Sequence, residues 1–114
     1  MKPVFYDKKT CGTCKKAKAF LKEKDVLFEI VDIITSPPSR ELLEEFIDAD
    51  NIKPYLNSRS ALYRELKLGQ NLPSKSEAIE LMLQDPNLIK RPFIVRGKQG
   101  SFGFNIEEFE DKWV

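Results

Sequence analysis

The chain has 114 residues, 41% apolar and 32% charged, a length and balance that suit one folded domain with its own core and read as folded rather than disordered. Nineteen Lys and Arg against eighteen Asp and Glu leave a formal charge of +1, so no whole-molecule field draws the chain to nucleic acid or anionic lipid. Histidine is absent, which removes His-based zinc sites and both Ser-His-Asp and Cys-His catalysis.

Val4-Phe5-Tyr6, ending at Asp7-Lys8-Lys9, predicts a buried strand, with Pro3 at the first position where no ladder donor is needed. Thr10-Cys11-Gly12-Thr13 reads as a turn. From Cys14 the period becomes helical: Ala17, Phe20 and Leu21 share one face, and Lys15, Lys16, Lys18 and Lys22 face water. Leu27-Phe28-Glu29-Ile30-Val31-Asp32-Ile33 predicts a second strand, covered on both faces and therefore with a parallel partner. The right-handed crossover of such a βαβ unit sets the helix N-terminus at the C-terminal edge of the first strand.

Thr35-Ser36-Pro37-Pro38-Ser39 breaks the pattern, and Ser39 can cap a helix whose apolar positions are Leu42, Leu43, Phe46 and Ile47. Short helices are expected at 52–56, 61–66 and 76–83, the last capped by Ser76, before a break at Asp85-Pro86-Asn87. Phe93-Ile94-Val95 predicts a third strand. A Gly97-Lys98-Gln99-Gly100 turn leads to a fourth at Phe102-Gly103-Phe104. Asn105 can cap a last helix with Ile106, Phe109 and Trp113 on its apolar side. The expected fold class is α/β: a thioredoxin-like βαβ–ββα core with a mostly helical insertion, about residues 36–90, between the second and third strands of a single domain spanning 1–114. No apolar run is long enough to span a bilayer, and the start shows no signal peptide, so the expected compartment is the cytoplasm and the expected state a monomer.

Chemistry concentrates at Cys11-Gly12-Thr13-Cys14, a strand-to-helix turn. There a thiolate meets unpaired backbone donors and the positive end of the helix dipole. Two cysteines three apart can close a small disulfide, with Gly12 allowing the tight backbone. Cys11 is the expected nucleophile and Cys14 the resolving thiol. Residues 1–24 hold eight lysines against Asp7 and Glu23, a net +6 that makes the thiol end positive. With two cysteines and no histidine, the chain offers no metal set of its own. Arg91-Pro92 precedes the third strand. In a thioredoxin-like sheet a cis proline there faces the cysteine turn and leaves the backbone preceding it free to pair with a bound peptide or thiol substrate. Arg91 is then placed to hold a thiolate or an anion. Arg59, in the polar turn Asn57-Ser58-Arg59-Ser60, is either a second anion contact or a local salt-bridge partner.

In order and spacing, several segments resemble the arsenate reductase–Spx (ArsC-like) family of thioredoxin-fold proteins. They are Cys11-Gly12-Thr13-Cys14-Lys15-Lys16-Ala17, Pro37-Pro38-Ser39, Leu56-Asn57-Ser58-Arg59-Ser60 with Tyr63-Arg64-Glu65-Leu66, Leu88-Ile89-Lys90-Arg91-Pro92 and Gly103-Phe104-Asn105. The resemblance implies a thiol–disulfide oxidoreductase without a bound cofactor, using Cys11 and Cys14. Glutathione with glutaredoxin, or thioredoxin, would supply electrons. It also implies two alternatives. One is a redox-sensing regulator of the Spx kind, switched by its CxxC pair and bound to the RNA polymerase α subunit, with no direct nucleic-acid contact. The other is a glutaredoxin-dependent arsenate reductase, in which Cys11 attacks arsenate and three arginines hold the oxyanion. Arg91 matches one of those arginines and Arg59 lies near a second. The third position falls in Ser101-Phe102-Gly103-Phe104, where restoring an arginine at Ser101 or Phe104 is expected to favour arsenate.

Overall fold

A computed structural model describes residues 1–114. Strand β1 (Val4–Asp7) runs into helix α1 (Gly12–Glu23) and strand β2 (Glu29–Asp32). Helices α2 (Arg40–Phe46), α3 (Ala61–Glu65) and α4 (Lys75–Gln84) follow, then strands β3 (Phe93–Arg96) and β4 (Gln99–Phe102) and helix α5 (Ile106–Lys112). The sheet order is β2-β1-β3-β4. Strand β1 pairs in parallel with β2 (Phe5 opposite Ile30) and antiparallel with β3 (Phe5 opposite Ile94); β3 and β4 form a hairpin.

Two compact units divide the chain: Met1–Ser36 with Arg91–Val114, and Pro37–Lys90. The first holds the sheet, α1 and α5. Its core gathers Phe5, Cys14, Ala17, Leu21, Ile94, Phe109 and Trp113. The helical spacing of Ala17 and Leu21 and the i,i+4 pair Phe109–Trp113 supply the apolar faces. The ring of Phe104 meets Phe109 edge-on at 4.8 Å, and Phe20 lies 5.7 Å from Phe104, contacts that add to the area they bury.

In the Pro37–Lys90 unit, α2 lies against α4, and two side chains tie them. Lys75 Nζ donates to the Glu44 carbonyl at 2.6 Å, and Arg40 pairs with Glu80. Ser39 caps α2 as its position requires, its hydroxyl accepting the Leu42 N–H at 3.2 Å.

Several sequence expectations need correction. Strand β2 is not covered on both faces: as the outer strand it leaves Ile30 51% exposed, and burial falls instead on Ile33 beyond its end. An apolar run resembles a sandwiched strand even where it occupies an edge. The segment at 52–56 is a single 3₁₀ turn, Lys53–Tyr55, with Pro54 in its first turn. The hairpin turn uses only Gly97-Lys98, with Gly97 at φ +59°, so Gln99 and Gly100 belong to β4. Gly103, at φ +85°, lies beyond that strand, and Phe104 follows it. Ile106 is 53% exposed at the first position of α5, whose buried side is Phe109 and Trp113.

Helix α4 is capped by Ser74 rather than Ser76, because only Ser74 has an acid three residues on. Ser74 Oγ accepts the Glu77 N–H and Glu77 accepts the Ser74 N–H, both at 3.2 Å. Ser74→Ala should therefore destabilise the protein by about 1 kcal/mol in urea unfolding, and Ser76→Ala by less than about 0.5 kcal/mol. Equal losses would contradict the capping assignment.

Candidate functional site

Cys11 is the cap residue of α1, in extended conformation. Its N–H donates to the Lys8 carbonyl at 3.0 Å, and its Sγ accepts the Cys14 N–H at 3.3 Å. The sulfur thus occupies the place a serine or aspartate oxygen takes at an ordinary cap, where one of the orphan donors of the first turn is met. Cys14 sits one turn into the helix and is fully buried in the core, while Cys11 is half-buried. Both are free thiols. Thr13 lies half-buried between them. Gly12 is not required for the tight turn: its φ is not positive, and a Cβ there would meet nothing within 4 Å. What Gly12 leaves is open space beside the nucleophile.

Arg91 and Pro92 enter from the segment before β3. Their peptide bond is cis, Pro92 is buried, and its carbonyl accepts the Gly103 N–H at 2.9 Å. The Arg91 guanidinium hydrogen-bonds the Cys11 thiol.

These neighbours split the two thiols. Burial opposes ionisation of Cys11, but hydrogen bonds from the Cys14 side chain and backbone, then the hydrogen bond and charge of Arg91, outweigh it. Cys11 consequently ionises below an ordinary thiol. Burial pushes Cys14 up to about 12, helped by its hydrogen bond to Cys11 and by the charges of Cys11 and Asp7, against a Lys8 backbone contact that favours the thiolate. The lysines around the turn, expected to assist Cys11, are not among the causes. Ammonium groups on flexible stems in water are too well screened.

Two functional neighbours escaped the sequence reading. Asp7 is buried, and Lys18 Nζ contacts its Oδ2 at 3.0 Å. The signal was present in β1, where Asp7 shares the inward face of Phe5 by strand alternation, and in α1, where Lys18 falls one turn beyond Cys14. Arg59 belongs to the Pro37–Lys90 unit, exposed in the turn before α3; its N–H donates to Asn57 Oδ1 at 3.1 Å and its carbonyl accepts from Arg64. Neither Glu65 nor Asp50 pairs with it there.

The last hairpin also departs from expectation. Ser101 is 2% exposed and accepts the Trp113 Nε1–H at 3.0 Å, and Phe104 packs on Phe20 and Phe109. An arginine at Ser101 would enter the core, and one at Phe104 would give up the ring contacts with Phe20 and Phe109. Arg96 is committed elsewhere, donating to Gln99 and the Lys112 carbonyl and lying over the Trp113 ring. No three His, Cys, Asp or Glu side chains converge where they could hold a metal.

The profile of the ArsC family matches residues 6–112, nearly the whole chain. The protein belongs to the ArsC family. Among its relatives, the uncharacterised YusI of Bacillus subtilis is 36% identical over 118 residues, covering 100% of both chains. The global transcriptional regulator Spx of Streptococcus mutans is 37% identical over 101 residues, which cover 87% of this chain and 74% of Spx. The crystal structure of an ArsC family related protein from Bacteroides fragilis superposes with a TM-score of 0.88 at 31% identity, covering 97% of this chain and 98% of that one. The ArsC-family fold is thioredoxin-like, and no helix in this member is long and apolar enough to cross a membrane.

Because Arg91 lowers the Cys11 pKa by hydrogen bond and charge, Arg91→Met should raise it. Iodoacetamide alkylation of Cys11 at pH 7 should slow on the order of tenfold, and its pH midpoint should move upward. An unmoved midpoint would remove Arg91 from the site.

Proposed function

We propose that this ArsC-family protein is a dithiol–disulfide oxidoreductase in which Cys11 attacks and Cys14 resolves. The observation that carries the reading is the inequality of the two thiols: an accessible one that ionises easily, and a buried one held protonated and hydrogen-bonded to the first. Cys11 as thiolate attacks a substrate disulfide RS–SR′, forming Cys11–S–SR and expelling R′S⁻. Cys14 then attacks Cys11 Sγ, forming the internal disulfide and expelling RS⁻. Two cysteine thiols are oxidised as one substrate disulfide is reduced to two thiols. Glutathione with glutaredoxin, or thioredoxin, returns the pair to the dithiol.

Peptide mapping after mild oxidation should find Cys11 linked to Cys14, and the reduced protein should turn over a small mixed disulfide with a glutathione–glutaredoxin–NADPH recycling mixture. Both cysteines remaining free, or linked only between chains, would sink the reading. Arsenate offered in parallel should be reduced very slowly. Losing one oxyanion donor commonly costs on the order of 10²–10³ in rate, and the last hairpin commits Arg96 to α5. Turnover of arsenate at several per second would make the protein an arsenate reductase instead.

Similarity to Spx favours a second reading, a redox-sensing regulator that binds the RNA polymerase α subunit. It is tested by titrating the α C-terminal domain with the oxidised and reduced protein. A micromolar or tighter complex in one redox state, with no disulfide turnover, would establish it.

A further inference from the structure

The resolving step contains a difficulty that the cysteine pair alone does not solve. Cys14 must lose its proton to attack, yet it is fully buried in an apolar core. Water has no ready path to it, and a thiol in such a place is a poor nucleophile.

A buried carboxylate, Asp7, neighbours that thiol. The carboxylate is 95% buried, which is uncommon for an acid not fully paired. One oxygen, Oδ2, is held by Lys18 at 3.0 Å, and the other, Oδ1, is buried with no hydrogen-bond partner. Such an atom loses its hydration without replacement, a cost that calls for a functional explanation. Position brings it to Cys14. The peptide that follows Asp7 contacts the Cys14 sulfur through the Lys8 backbone, and Lys18, one helical turn after Cys14 on the same face of α1, grips the carboxylate. Asp7 is also close enough for its charge to act on Cys14. The other charged or titratable groups at the pair are Cys11 at the cap, hydrogen-bonded to Cys14, and Arg91 before β3, which faces Cys11.

We propose that Asp7 accepts the Cys14 proton during resolution, with Lys18 as the positioning residue that fixes the carboxylate. This rests on the dithiol reading and deepens it. In the mixed disulfide, Cys14–SH gives its proton to Asp7 Oδ1 as its sulfur attacks Cys11 Sγ. The Cys14–Cys11 bond forms, the Cys11–SR bond breaks, and RS⁻ leaves with the electron pair. The proton on Asp7 passes to the leaving thiolate or to solvent.

An aromatic disulfide reagent that releases a coloured thiolate separates the steps, since the first equivalent reports Cys11 attack and the second reports resolution. In the unmodified protein the second phase should be nearly flat between about pH 6 and 9, because the base is internal. Asp7→Asn should leave the first phase within about twofold and slow the second by roughly 10²-fold at pH 7, with a tenfold rise per pH unit; Asp7→Glu should restore part of the rate. A carboxylate acting only as a nearby charge predicts the opposite sign, because its removal eases Cys14 ionisation and the second phase would quicken. A second phase in Asp7→Asn that is unchanged or faster overturns the proposal. So does a tenfold rise per pH unit in the unmodified protein, a measurement that needs no variant to fold. Release of only one equivalent by the unmodified protein would instead overturn the dithiol reading, and the role of Asp7 with it.

Discussion

Replacing Cys11 by Ser should reduce disulfide turnover by roughly 10⁴-fold or more, to the background of the recycling mixture alone. A serine hydroxyl cannot form the mixed disulfide, so the loss is of the reaction itself and not of one contribution to its rate. Cys14 cannot substitute. It is fully buried, and burial, the largest cause that keeps it protonated, persists when Cys11 is replaced. Cys14→Ser should behave differently, completing the first attack and stopping as a trapped Cys11 adduct visible by intact mass. The pair of variants therefore separates attack from resolution. A Cys11→Ser protein retaining a tenth or more of the activity would transfer the nucleophile's role to Cys14.

Phe109→Ala should be the most damaging change away from the cysteines, at about 3–5 kcal/mol. Phe109 is fully buried in the cluster that also contains Cys14, with Phe104 edge-on at 4.8 Å and Phe20 at 6.0 Å. Truncation leaves a cavity that α5, tied to β4 through Trp113 and Ser101 and through Lys112 and the Gly100 carbonyl, is not free to close. For a domain of this size the loss corresponds to a drop in Tm of roughly 12–20 °C. Ile106→Ala, at an exposed position of the same helix, should cost less than about 0.5 kcal/mol. Comparable losses at the two positions would contradict the packing described for α5.

The order of the elements and the cysteine turn were legible in the sequence because each carried a local signal: the Ser39 and Asn105 caps, the helical faces of α1 and α5, and the CxxC spacing. The misreadings share one physical source. Burial depends on which strand neighbours which, and that is settled by pairings far apart in the chain. Strand β2 has an apolar sequence and an edge position; Ser101 has a polar side chain and a buried position. The activation of Cys11 was expected from the helix end and the lysines, with Arg91 placed to hold the thiolate. The helix end contributes through the Cys14 N–H, whereas the charge comes from Arg91, eighty residues away in sequence. Asp7 was read as the charged end of a strand, although its alternation with Phe5 already placed it inward.

The pairing of β1 with β3 carries a consequence for how the protein is made. Val4 stands opposite Val95, and about 60 residues separate the end of β2 from the start of β3. At the usual pace of a ribosome, that interval is on the order of 3–12 s. Throughout it, one edge of β1 has no partner strand, and Cys11 precedes by eighty residues the arginine that adds to its activation. During that interval the thiol has at most the local hydrogen bonds of its own helix turn, and the contribution of Arg91 is added only when the last quarter of the chain docks.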